Sequence, residues 1–214
     1  MAAPGRIVTV AQQKGGSGKT TLAAGLAIAA RGRGLSVALI DTDPQGSLGR
    51  WFMERLQSRG EDAALGFATA SAWGAGYEAE KLARGADLVL IDTPPKIEGD
   101  LRPALRAADL VLVPVATSQV DLWATEGVLD LAGRERKPCL VVLNRARPGT
   151  RLSAEITAAA AGLGAALAGV QIGNRVAHAE AMGRGLAAGD GPAHGAARVE
   201  LEALLEEVLA AAGG

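Results

Sequence analysis

Residues 13–21, Gln-Lys-Gly-Gly-Ser-Gly-Lys-Thr-Thr, constrain the rest of the chain more than any other feature. Small residues let successive backbone N–H groups, from Gly15 through Gly16, Ser17 and Gly18 to Lys19, curl around an anion, and a following helix adds its positive end. Such a loop works only between a short strand and a helix. Both are legible: 7–10 is a β-rich run, and 22–30 is an Ala/Leu-rich helical stretch. In the pattern G-x-x-x-x-G-K-[ST], Gly18, Lys19 and Thr20 fill the last three places. Lys19 is then set to reach the β- and γ-phosphates of a nucleotide, and the Thr20 hydroxyl to ligate Mg²⁺, with Thr21 completing the binding run. The place of the first glycine is taken by Gln13, and Lys14 stands beside it. Lys14 comes too early to duplicate the contact of Lys19 within one chain. It is expected to point outward, toward a phosphate held by another subunit.

Downstream, apolar runs alternate with helical stretches. Strands are expected at 7–10, 36–40, 88–91, 110–114 and 139–143, with a weak one near 169–172. Helices are expected at 21–31, 47–59, 77–83, 101–107, 123–136, 153–167, 178–183 and 198–211. Residues 60–76 read as irregular and 145–151 as a basic loop. This alternation predicts an α/β fold, a single doubly wound, mostly parallel sheet with helices on both faces. The nearly continuous hydrophobicity of the strands fits burial on both sides. In such sheets ligands bind beyond the carboxyl ends of the strands, where each motif falls. A length of 214 residues with 49% hydrophobic content suits one domain spanning 1–214.

Net charge is −1, so any nucleic-acid binding needs a local basic face. The one cysteine, Cys139, excludes a disulfide framework and reads as a buried strand thiol. No apolar leader precedes the first strand, and no run is long enough to span a membrane, so the expected location is cytoplasmic.

The remaining polar residues fall at strand ends. Asp41 and Asp43 follow an apolar strand, and alternation places both carboxylates on one face of its end; an N-terminal capping role for the next helix is the competing reading. Asp92 ends a hydrophobic strand, the Walker B arrangement, which suits Mg²⁺ held through water. Asn144 closes the strand at 139–143, and its amide can pair an adenine edge; a turn-forming asparagine is the alternative. His178 and His194 lack ligand spacing for a metal. Trp51, Trp73 and Trp123 are read as core on helix faces rather than a stacking platform.

The loop at 13–21 resembles the deviant Walker A motif of the ParA/MinD family. Three later segments resemble that family in order: 39–47 (Leu-Ile-Asp-Thr-Asp-Pro-Gln-Gly-Ser), 88–95 (Leu-Val-Leu-Ile-Asp-Thr-Pro-Pro), and Pro114-Val115 through 121–125 (Asp-Leu-Trp-Ala-Thr). Within that family the chain looks most like the short ParA-type partition ATPases. The resemblance implies the P-loop NTPase fold, ATP and Mg²⁺ as cofactors, and catalytic roles for Lys14, Lys19 and Asp43. It makes Asp43 the residue that orients the attacking water, places Asp41 with Thr20 and Asp92 near the metal, gives Asn144 to the base, and makes 93–95 a switch loop. It further implies a homodimer with ATP sandwiched at the interface, Lys14 crossing to the partner's nucleotide. Nonspecific DNA binding by that dimer is expected through Arg175, Arg184 and Arg198, with Arg145, Arg147 and Arg151 as an alternative face and His194 at a position often basic. Slow hydrolysis stimulated by a ParB-like or other adaptor, and nucleoid association, complete the expectation.

Two relatives compete with this reading. A MinD-like regulator would use a membrane-binding tail, but 198–212 is amphipathic and acidic, a face that anionic lipid repels; no membrane anchor is expected. Metabolic ligases of the superfamily generally lack the lysine found here as Lys14. The single Tyr77 weighs against the tyrosine-kinase relatives, and the single cysteine against the iron–sulfur ones.

Overall fold

The structure, a computed structural model, describes residues 3–62, 64–95, 99, 101–190 and 195–213. Along the chain run β1 (Arg6–Val10), α1 (Lys19–Gly32), β2 (Val37–Asp41), α2 (Ser47–Arg59), β3 (Leu65–Thr69), a 3₁₀ turn (Ala72–Gly74), α3 (Ala75–Ala83), β4 (Leu88–Asp92) and α4 (Arg102–Ala107). Then follow β5 (Leu110–Ala116), α5 (Gln119–Arg134), β6 (Cys139–Asn144), α6 (Arg151–Ala161), β7 (Ala166–Leu167), α7 (Val176–Met182) and α8 (Gly195–Gly213). The strands form one seven-stranded sheet in the order β3-β2-β4-β1-β5-β6-β7, with every pairing parallel. The doubly wound α/β expectation holds, and the sheet is wholly parallel.

Alternate residues of each strand feed the two faces. Leu88 and Leu90 pack with α1, α2 and α8, whereas Val89 and Ile91 pack with Ala75, Ala79 and Ala83 of α3. Helix α8 turns Ala197, Leu201, Leu204, Leu205 and Val208 onto this first face, so its apolar stripe is spent on the core. It lies so close to α1 that a Cβ on Gly25 would meet the Leu201 side chain at 2.9 Å. At its far end Gly213 lies beside the Arg6 guanidinium at the start of β1.

Four expectations need correction. The irregular stretch at 60–76 contains β3, an edge strand whose Gly66 and Ala68 carry no β-branched signal. The last strand is Ala166–Leu167, not 169–172, and it truncates the helix expected to run to 167; residues 169–172 follow as a loop tied to β6 by the Ile172 N–H donating to the Leu143 carbonyl. Helix α5 begins at Gln119 rather than 123, because the Ser118 hydroxyl accepts from the Asp121 N–H and caps it. Of the tryptophans only Trp51 is core, its indole N–H donating to the Leu186 carbonyl; Trp73 and Trp123 are 83% and 61% exposed, one on the turn after β3 and one early in α5. Cys139 opens β6 half-buried, and burial raises its thiol to a pKa of about 11.

Candidate functional site

Parallel register brings the polar strand ends into one row. Val10 pairs with Asp92, and Asp92 pairs with Asp41, so the loop after β1 lies beside both carboxylates at the carboxyl edge of the sheet. Cross-strand bonds stitch the row together: the Thr93 hydroxyl donates to the Val10 carbonyl, and the Thr42 hydroxyl to the Asp92 carbonyl, both at 2.8 Å.

The loop curls as its composition demands. Gly16 and Gly18 take φ of +78° and +91°, a region open to glycine and strained for other residues. Helix α1 begins at Lys19 with no acidic residue in its first turn, so its positive end faces the loop uncompensated. The Lys19 ammonium is buried and donates to the Gln12 carbonyl at 3.0 Å. Burial lowers its pKa, opposed by the nearby charges of Asp92 and Asp43.

Asp92 is buried, and its Oδ2 accepts from the Thr20 hydroxyl at 2.6 Å while Oδ1 has no partner. Burial raises its pKa to about 7, with the Thr20 bond pulling the other way and the charge of Asp41 adding to the rise. A buried carboxylate with one oxygen unsatisfied, next to a threonine hydroxyl, is a donor set that fits Mg²⁺ held jointly with phosphates and water. Among the described residues no cluster of three or more His, Cys, Asp or Glu is set to hold a metal by itself, in keeping with such a shared site. The Ser17 hydroxyl inside the loop is also buried without a partner.

Asp41 has both oxygens engaged, Oδ1 by the Asp43 N–H at 3.0 Å and Oδ2 by the Gly49 N–H at 2.9 Å in the first turn of α2. Its pKa is raised, burial being the main cause. It therefore braces the loop 42–46 and the start of α2, the capping role weighed against metal contact. Asp43 is half-buried, with Oδ1 accepting from the Gln45 N–H at 2.9 Å. It lines a cavity of about 650 Å³ together with Pro44, Ser71, Trp73 and Pro94. Asn144 and Thr21 line a second cavity, of about 120 Å³, with Gly18, Arg145, Asn174 and His178.

Lys14 lies where its sequence position did not suggest. Instead of pointing free, its ammonium donates to Oδ2 of Asp121 at 2.6 Å, a carboxylate that is only 4% exposed and also accepts from the Ser118 hydroxyl. Gln12 continues this network: its side-chain amide donates to the Thr125 hydroxyl and the Pro114 carbonyl. The Gln13 side chain lies over Gly127, where a Cβ would approach it to 2.9 Å. Asp121 and Gln12 are the functional neighbours that residue-by-residue reading passed over. The Ser118-x-x-Asp121 capping signature was the available signal.

Of the arginines expected to meet DNA, three are neutralised by glutamates: Arg151 by Glu155, Arg175 by Glu200 and Arg198 by Glu202. Arg145, Arg147 and Arg184 are exposed, and none has an ion-pair partner among the described residues. His194 lies outside the described residues. No helix among the described residues is long and apolar enough to cross a membrane.

The ionisation of Asp92 makes a testable signature. Its folded pKa lies above the ordinary carboxylate value, so the stability it contributes is present at acid pH and is lost as pH rises through about 7. Asp92→Asn removes that loss. The ligand-free variant is expected to melt progressively higher than wild type between about pH 4 and 7, by several degrees at about 2–4 °C per kcal/mol for a chain of this size. Its stabilisation by Mg²⁺ with nucleotide should fall at the same time. A melting difference that is constant with pH would show that the buried carboxylate is not the cause.

A family model described as the CobQ/CobB/MinD/ParA nucleotide binding domain matches residues 8–188. The chain is 27% identical over 209 residues to the maintenance of carboxysome distribution protein A of Halothiobacillus neapolitanus, covering 94% of this chain and 95% of that protein. It is 36% identical over 151 residues to the chromosome-partitioning ATPase Soj of Thermus thermophilus, covering 59% of each. Its fold superposes on the McdA–ATP complex from Cyanothece with a TM-score of 0.80, over 99% of this chain and 98% of that one, at 18% identity. A phosphate loop carrying Lys14 and Lys19 beside the carboxylates of β2 and β4, matched by this family model over most of its length, makes the chain a member of the ParA/MinD family of P-loop ATPases.

Proposed function

We propose that this protein is an ATP-dependent dimerising ATPase that positions or segregates a cargo, binds nonspecific DNA as the ATP dimer, and is released by partner-stimulated hydrolysis. ATP and Mg²⁺ are its cofactors. The observation that carries the proposal is Lys14, a second lysine in the phosphate loop, whose ion-pair partner among the described residues is Asp121. A phosphate from a second copy is the natural replacement for that carboxylate, and two such exchanges make two nucleotides the glue of a dimer.

Within one protomer the backbone N–H groups of 15–19 cradle the phosphates, and Lys19 leaves the Gln12 carbonyl to reach the β- and γ-oxygens. When bound, Mg²⁺ neutralises charge developing on the phosphate oxygens, and the Thr20 hydroxyl and Asp92 carboxylate are the groups that hold it. Asp43 orients the attacking water from the wall of its cavity. Asp41 acts from behind by fixing the backbone of Asp43. Among the described residues no arginine or lysine lines that cavity, in keeping with slow hydrolysis by the chain alone. An arginine finger is worth about 10³–10⁵ in rate in related phosphoryl-transfer enzymes. A ParB-like or other adaptor with a basic segment supplies the missing cation.

Cargo identity is best supported at the level of a protein assembly, because the relative aligned over nearly its whole length carries a name for carboxysome distribution. Plasmid or chromosome cargo is the second reading, supported by the partial match to Soj. A membrane-side role finds no support in α8, whose apolar stripe packs on α1 and the sheet. The track is DNA, met through Arg145, Arg147 and Arg184.

Anisotropy of a labelled random duplex, titrated with protein in ATP, ADP or no nucleotide at several salt concentrations, tests this reading. Six phosphate contacts per dimer give a log–log salt slope near −5. Arg145→Ala with Arg147→Ala should bring the slope to about −2 by removing four of them. Binding equal in all nucleotide states, or a slope unmoved by the double variant, would refute the DNA track while leaving the ATP switch standing.

A further inference from the structure

Asn144 ends β6 and is 5% exposed, with its carboxamide engaged at both ends. Its Nδ2 donates to the Ser17 carbonyl at 2.7 Å, across 127 residues of sequence. Its Oδ1 accepts from the Arg145 N–H at 2.9 Å. Arg145 adopts φ +53°, a left-handed conformation that is uncommon and strained for a residue with a side chain. That bend brings its N–H back onto the carboxamide and fixes which way the amide faces. On the other side a Cβ on Gly18 would lie 2.3 Å from Nδ2, so the amide is pressed against the loop where it turns into α1.

We infer that Asn144 is a positioning residue for the phosphate loop, acting through the Ser17 carbonyl, in addition to any contact with a base. The bond holds Ser17, and with it Gly18 at φ +91°, in the concave form that presents the N–H groups of 15–19 to phosphate before a ligand arrives. A carboxamide has two N–H groups and two lone pairs. One of each is used internally, leaving one of each for a ligand in the 120 Å³ cavity that Asn144 lines. The base subsite and the phosphate subsite thus share one side chain, and occupancy of the first stiffens the second. This inference rests on the reading of 13–21 as a phosphate loop.

Asn144→Ala removes both bonds. The near-isosteric Asn144→Asp keeps the acceptor for the Arg145 N–H but loses the donor to Ser17, so it isolates the strut and guards against a folding failure of the alanine variant. Hydrogen exchange of the ligand-free proteins, followed on the peptide covering 13–21 with one from α6 as control, should show both variants exchanging about tenfold faster in the loop alone. ATP and GTP dissociation constants, measured with Mg²⁺, should rise by about tenfold for both nucleotides together. Loop exchange unchanged in both variants would overturn the inference, as would weakened ATP with GTP untouched, which is the mark of a base reader and nothing more. Faster loop exchange in variants of a protein that binds neither nucleotide would instead keep the strut and defeat the nucleotide reading.

Discussion

Asp43→Ala is expected to lower ATP hydrolysis by about 10²–10⁴-fold, the range for removing a positioned acid–base group, while leaving ATP binding in place. Structure favours so clean a separation. Asp43 is half-buried, its carboxylate accepts one hydrogen bond among the described residues, from the Gln45 N–H, and its backbone is held independently by Asp41. Little of the fold depends on the side chain that is removed. Because the dimer is dissolved by hydrolysis in the proposed cycle, the variant should accumulate as an ATP-bound dimer. Phosphate release and sedimentation velocity, run on the same sample, read both halves. A variant that hydrolyses at the wild-type rate would show that Asp43 does not orient the water. A variant that fails to dimerise with ATP would show that it does structural work instead.

Lys14→Ala should weaken the ATP dimer by about 10²-fold or more. A unit charge pair near 4 Å is worth roughly 4 kcal/mol at an effective dielectric of 20, and two copies are lost per dimer. Desolvation takes back part of that gross figure, which sets the lower expectation. The informative companion is Asp121→Asn. Asp121 holds that ammonium in the ligand-free chain, and in the proposed cycle it competes for it with the partner's phosphate. Half-exposed ion pairs are weak, so releasing Lys14 should tighten the ATP dimer by only about 3- to 10-fold. The two substitutions break one contact and are expected to move dimerisation in opposite directions. Sedimentation equilibrium in ATP separates them; loss of the dimer in both would mean that the pair stabilises α5 rather than gating association.

The sequence made the core of this architecture readable because its strongest signals are local. The loop at 13–21, the apolar runs closed by Asp41, Asp92 and Asn144, and the Ala/Leu stretch of α1 each announce an element within a few residues, and parallel register then lines the ends up. What stayed hidden depends on distance or weak propensity. Strand β3 is a short edge strand diluted by Gly66 and Ala68, recognisable by its partner β2. The contact between Lys14 and Asp121 joins residues 107 apart. The pairing of Arg175 with Glu200 across 25 residues, which removes a charge that looked available for DNA, has no counterpart in local composition. The exposure of Trp73 and Trp123 is hidden for the same reason: an aromatic on a helix or turn declares its hydrophobicity but not its direction.

Gly213 and Arg6 lie side by side at the amino edge of the sheet, about a strand length, roughly 16 Å, from the loop that follows Val10. In a face-to-face pair joined through the phosphate loops, this edge of each copy points away from the seam. A fluorescent label, a purification tag or a tether to cargo attached after α8 therefore leaves from the outer pole of the assembly, clear of nucleotide and of the second copy. The geometry provides a handle for watching or loading the pair without touching its seam.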